Sequence, residues 1–397
     1  MADKNKQGFH TVQSNVEEME EKIRSHRKKI VVRGSVLFLI IVIFIGAAGI
    51  YFQFKEYTDY EVVTEILRSD SEATQYETFA GNLLRYNNDG AFYADMSDNL
   101  IWNQAYEMQN PMVDTCENYA VVADRQGTQI YIMNTIGVQG AIETNKPIEA
   151  VCVGNQGIVA ILTQEEGTSY LELYNRSGES IASGEIHMEN SGYPLDIALS
   201  NDANKLAVSI LDISKGKART TVAFYNFGSV GQNEIDNMVG SYTYEDTIIP
   251  EIDFITNDTL IAFGDSQVLL FEGTQKPEEI WKQSLDKEVK SIFYDEEYFG
   301  LVYDKEGTEN LHNMVIYDTK GKLRLEKEFK MSYQKIEFLS NHQICVMGDT
   351  ACEIYTLRGI KKFSYTFDMP IYKVLSEKSS RNYIFVLDGA MDEVKLK

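Results

Sequence analysis

Three aspartates and three lysines of this 397-residue chain hold comparable places in a repeated phrase. Asp114, Asp196 and Asp253 stand just ahead of short apolar runs in the first half, and Lys290, Lys335 and Lys373 do so in the second. Glu149 falls one position off. If the repeats close into a ring, acids on one arc and ammonium groups on the other form a charge-polarised site for a zwitterionic or polar ligand, or for a partner's charged loop. The same positions beside a wet channel would also tolerate any charge with no function attached.

Little other chemistry is legible. The chain has no phosphate-binding glycine loop, no nucleophile elbow and no His-Glu-x-x-His zinc signature. His187, His312 and His342 lie far apart and read as surface groups rather than ligands of one metal. No catalytic residue, metal or cofactor is therefore assigned, and a non-enzyme is the favoured reading. Cys116 and Cys152 sit five residues after Pro111 and Pro147, on strands expected to be buried, where Cys acts as a small hydrophobe. Cys345 and Cys352 flank a tight turn. With Gly348-Asp349 as the two loop residues they face each other and can form a disulfide; a one-residue shift in register separates them.

The elements that position these residues come from the repeat. Beyond residue 78 the chain breaks into short β-rich runs divided by Gly, Asn and Asp turns. Five of the six prolines open the same phrase, at Pro111, Pro147, Pro194, Pro250 and Pro370. Proline-less copies start near Val289 and Tyr333. Proline at the first position of a strand withholds no ladder N–H, so a sheet accepts it there. The spacing averages about 43 residues, the period of a four-stranded propeller blade. Two further marks agree. Ile101-Trp102-Asn103-Gln104 and Ile280-Trp281-Lys282-Gln283 place both tryptophans in one tetrapeptide, and Tyr174 to Gly178, Tyr317 to Gly321 and Tyr355 to Gly359 repeat one glycine turn.

The expected fold is an all-β propeller over residues 79–397, with eight blades, or seven if the two terminal pieces share one. A polar stalk over 54–78 precedes it, with a short strand near Glu61–Leu67.

Residues 35–53 form an uncharged apolar stretch of transmembrane length. Lys22, Arg24, Arg27, Lys28, Lys29 and Arg33 flank it on one side, and Glu56, Asp59, Glu61 and Glu65 follow it. The positive-inside rule puts the tail of residues 1–34 in the cytoplasm and the propeller outside. A cleaved signal peptide is the alternative, disfavoured by the long preceding region and the apolar residues after the small-residue run. Part of the tail is expected to be helical, capped by Ser14. The net charge of -23 excludes nucleic acid as the main partner.

The runs LLRYNNDG (83–90), IWNQAYEMQNPMVD (101–114), YPLDIALSNDANKLAVS (193–209) and FYNFGSVGQN (224–233) resemble a bacterial family of membrane-anchored propellers known chiefly from Gram-positive anaerobes. The resemblance implies an N-terminal anchor, an extracytoplasmic ring and no assigned activity. The stretch from Asp95 to Trp102 is similar to the turn-and-tryptophan phrase of quinoprotein repeats. It lacks the Gly before the strand, and most repeats lack Trp, so no quinone cofactor is carried over. The leading functional expectation is an interaction scaffold or receptor, held in the membrane by residues 35–53 and paired with an envelope protein. The alternative is a small-ligand sensor or enzyme working through the central channel.

Overall fold

The computed structural model describes residues 16–68, 73–214, 216–376 and 381–397. Ser14 and the rest of the first fifteen residues lie outside these. The chain divides into two compact units, Met1–Lys55 and Glu56–Lys397.

The first unit holds one helix, Val16–Phe54. The tail helix and the apolar segment, expected as separate elements, are continuous. Its stretch Met19–Ala47 is long and apolar enough to cross a membrane.

The second unit is a ring of eight four-stranded antiparallel sheets. Their innermost strands are Gln75–Phe79, Pro111–Cys116, Ile148–Val153, Tyr193–Leu199, Glu251–Phe254, Val289–Tyr294, Lys335–Phe338 and Ile371–Ser376, for blades 1 to 8 in turn. Each repeat proline stands at or beside the start of one of them. Apolar residues on both faces of a blade are buried against its two neighbours. Phe293 and Ile316 of blade 6, for example, share a cluster with Ile336, Val346 and Tyr355 of blade 7.

The stalk expected over 54–78 is built into the ring instead. Tyr60–Leu67 pairs along its length with Ala390–Leu396 as the outermost strand of blade 8, and Gln75–Phe79 is the innermost strand of blade 1. Blade 8 thus takes three strands from the C-terminal end and one from the N-terminal side, which closes the circle and covers an edge that would otherwise stay unpaired.

The glycine turns serve as blade-to-blade contacts. Gly178, Gly321 and Gly359 all have positive φ, between 73° and 81°. A β-carbon on Gly178 would meet the Ala141 carbonyl of the preceding blade. Both tryptophans sit in the outermost strand of their blade against the matching turn of the next one. Trp102 Nε1 donates to the Asn134 carbonyl at 2.9 Å, and the Trp281 ring lies over Gly321.

The central channel as candidate functional site

Side chains from the innermost strands of blades 1, 2, 5, 6, 7 and 8 line a cavity of about 820 Å³ at the ring's centre. Asp114, Asp253 and Lys373 are among them, with Glu77, Tyr294 and Glu337.

Asp114, Asp196 and Asp253 lie close enough for their charges to bear on one another. Asp114 Oδ2 accepts the Val153 N–H of blade 3 at 2.7 Å, and Asp196 Oδ2 accepts the Ile252 N–H of blade 5 at 2.9 Å. Each therefore ties its own innermost strand to the next. The Tyr294 hydroxyl of blade 6 donates to Glu251 Oε1 at 3.4 Å and also engages Asp253. Asp196 does not line the cavity, but its charge bears on Asp114 and Asp253 bears on both. Burial, reinforced by Asp253, pushes the Asp114 carboxyl up to about 7. Burial likewise lifts Asp196 to about 7 and Asp253 to about 6. These side chains are only half-buried by exposed area; what solvent reaches Asp114 and Asp253 lies in the channel they line, so desolvation still acts on them. None of the three has an ion-pair partner among the described residues.

The lysine arc is only partly assembled. Lys373, 6% exposed at its side chain, lies 2.8 Å from Glu337 and 3.4 Å from Glu77. Burial disfavours its charge, but Glu337 and Glu77 outweigh that and hold its ammonium above the ordinary value. Lys335 joins the same two carboxylates at 3.3 and 3.8 Å. Two lysines and two glutamates thus form a closed network linking blades 7, 8 and 1, with one atom, Glu337 Oε1, buried and unpartnered.

Lys290 does not join them. The ladder of blade 6 runs from Val289–Tyr303 to Ser291–Val302, so Lys290 is the bulged residue between them. Its side chain leaves the channel, meets Asp304 at 3.2 Å and lies over the Tyr333 ring. Ser291 takes the inner place and bonds Tyr333 Oη at 2.8 Å. The same bulge skips Glu149 in blade 3, Leu195 in blade 4 and Tyr372 in blade 8.

Sequence reading missed Glu77, Glu251, Tyr294 and Glu337, and took His342 for a surface group. Glu77 was hidden in the presumed stalk, and the others matter through contacts made across blades. His342 Nδ1 lies 2.7 Å from Asp295 Oδ2 at the rim of the cavity. Burial lowers its affinity for a proton, but Asp295 more than offsets this and raises it.

The cysteines are all buried and free. Burial, with Asp114 nearby, pushes the Cys116 thiol up to about 12 and raises Cys152 well above its usual range. In blade 7, Cys352 pairs with Met347 and Cys345 with Ile354, and the Gly348 N–H donates to the Ala351 carbonyl, so the turn is Asp349-Thr350, one residue on from Gly348-Asp349. The two cysteines are diagonal instead of opposed, with sulfurs 3.7 Å apart and unbonded.

Among solved structures, the ring is similar to BamB from Moraxella catarrhalis, with 13% identity over 85% of this chain and all of that one, and a TM-score of 0.50. It is also similar to Sqt1 from Chaetomium thermophilum, with 12% identity over 85% of this chain and 98% of that one, and a TM-score of 0.54. Likeness at this identity shows the propeller fold alone. No curated protein matches the chain in sequence. A family profile does match over residues 53–396, the whole ring but not the helix, and by it the chain belongs to a family of unknown function, DUF5711.

Proposed function

We propose that this chain is a membrane-tethered, extracytoplasmic propeller that acts as an interaction scaffold or receptor for an envelope protein. The observation that carries the reading is an exposed apolar patch on the outer rim of blades 1 and 2. Leu100 and Ile101 are 55% and 45% exposed, and Ile136 and Val138 are 81% and 40% exposed. The Trp102 bond to the Asn134 carbonyl holds the two segments that carry these side chains together at the ring's edge. Large apolar side chains left exposed on neighbouring segments of a rim are costly in water and suit a protein contact. The helix supplies the tether: its apolar side chains from Val36 to Ile45 are exposed, its leading flank is basic and the following one acidic.

A second reading, a small-ligand sensor acting through the channel, is favoured by one observation. Asp114, Asp253 and Lys373 line a single cavity, and the two acids have no ion-pair partner among the described residues.

In-cell crosslinking of the intact chain, followed by mass spectrometry, separates the two. The scaffold reading expects one protein partner captured by the wild type, lost in Ile101→Asp/Ile136→Asp, and retained in Asp114→Asn/Asp196→Asn/Asp253→Asn. A partner insensitive to the rim, or a small molecule lost only in the channel variant, overturns it.

A further inference from the structure

Away from the channel, the cleft between blades 5 and 6 opens into a second cavity of about 410 Å³, within the ordinary range of small-ligand sites, about 300–1,000 Å³. Its floor is one face of blade 6. Tyr303 stands opposite Asn313, and Asn313 opposite Glu328, so all three project to the same side, with Tyr317 further along it. The end of the outermost strand of blade 5 (Glu278–Ser284) and the connection after it, together residues 283–287, form the facing wall.

Two features select the ligand. The first is aromatic. Tyr317 is stacked on Phe299 at 5.3 Å and backed by Trp281 at 5.4 Å, which fixes its ring. Tyr303 packs against the same apolar cluster as Tyr317 and Trp281, and among the described residues its ring stacks on no other and neither tyrosine hydroxyl has a hydrogen-bond partner. The second is charge balance. Lys305 pairs with Glu328, Lys290 and His312 both hold Asp304, and Asn313 Nδ2 donates to Glu326 at 3.0 Å. The lining mixes Asp286, Asp304, Glu326 and Glu328 with Lys287 and Lys305, most of them answered within the protein, so the cleft selects no strong charge. It offers an aromatic face with polar tips, amides and carboxylate oxygens at hydrogen-bonding spacing.

We infer that this cleft is a saccharide site, taking a neutral segment about two sugars long. The C–H face of one ring lies on Tyr303, and its hydroxyls bond to Asn313, the tyrosine hydroxyls and Glu328. The inference goes beyond the scaffold reading and involves neither the rim of blades 1 and 2 nor the channel.

The test is calorimetry on the full chain in lipid nanodiscs, titrated with N,N′-diacetylchitobiose, cellobiose and maltose up to about 20 mM. At least one should bind saturably. Tyr303→Ala should weaken it by about tenfold or more, whereas Tyr303→Phe, which keeps the ring, should stay within about threefold. Asn313→Ala provides a second reading if Tyr303→Ala fails to fold, with the same loss expected. No saturable heat with any of the three sugars, or binding undiminished in the variant that folds, overturns the proposal.

Discussion

A β-carbon on Gly321 would lie 2.3 Å from Cδ1 of Trp281, so blade 5 and blade 6 meet at a point where one residue must have no side chain. Gly321 also holds a φ of +73°, which other residues adopt at a cost. Gly321→Ala should therefore destabilise the ring by about 2–4 kcal/mol, through clash and backbone strain together. In a Trp281→Ala background only the strain remains, and the same change should cost about 1 kcal/mol. Denaturant unfolding of the four proteins in this cycle measures the coupling. Additive losses would show that the ring of Trp281 is not what excludes the side chain.

The acid arc makes stability depend on pH in a stated direction. Asp114 and Asp196 hold their protons to about 7 and Asp253 to about 6, against an ordinary 3.8. Between these values the native state binds protons that the unfolded chain releases. The contribution is present in full below about pH 4 and is lost as pH rises through 6 and 7. His342, held above its ordinary value by Asp295, works in the same sense. The melting temperature should accordingly fall between pH 5 and pH 8. Asp114→Asn keeps an oxygen for the Val153 N–H but removes the charge, so it should gain a few degrees at pH 8 and little at pH 4.5. A wild-type melting temperature that climbs from pH 5 to 8 would mean these carboxylates titrate normally.

The two lysines of the network should behave differently. Lys373 is buried between Glu337 and Glu77, and its removal leaves the two carboxylates in the channel wall with only the more exposed Lys335. Lys373→Met is expected to cost about 3 kcal/mol. Lys335 touches the same carboxylates from a far more exposed position, and Lys335→Met should cost no more than about 1 kcal/mol. Chemical denaturation at pH 7 compares them, and equal losses would refute the asymmetry.

What could be read in the sequence was whatever repeats locally. Prolines at strand starts, two tryptophan tetrapeptides and three glycine turns sufficed for the blades, because each depends on residues within about ten positions of one another. The pairing of Trp281 with Gly321 was not readable, although both belonged to recognised signatures, because the contact crosses blades. Lys290 was misplaced because a bulge adds one residue to the innermost strand, and nothing in Val289-Lys-Ser marks which residue the ladder skips. Residues 60–67 looked like a stalk because this outermost strand is solvated on both faces over most of its length and keeps its charges; only its partner, Ala390–Leu396, identifies it as part of the ring.

That partner suggests a sharp test of closure. Tyr57 is already tied to blade 7, its N–H donating to the Lys362 carbonyl at 2.8 Å, and Tyr60 packs edge-on against Tyr365 and Phe385. A chain starting at residue 56 keeps all of these contacts. One starting at residue 69 loses them and exposes the edge of Ala390–Leu396 along its whole length. The longer protein should melt cooperatively as a monomer, and the shorter one should melt at least about 10 °C lower or aggregate. A synthetic peptide of residues 56–68 should restore part of the difference, since the missing strand binds by backbone pairing. Identical melting of the two chains would mean that the ring closes without its N-terminal strand.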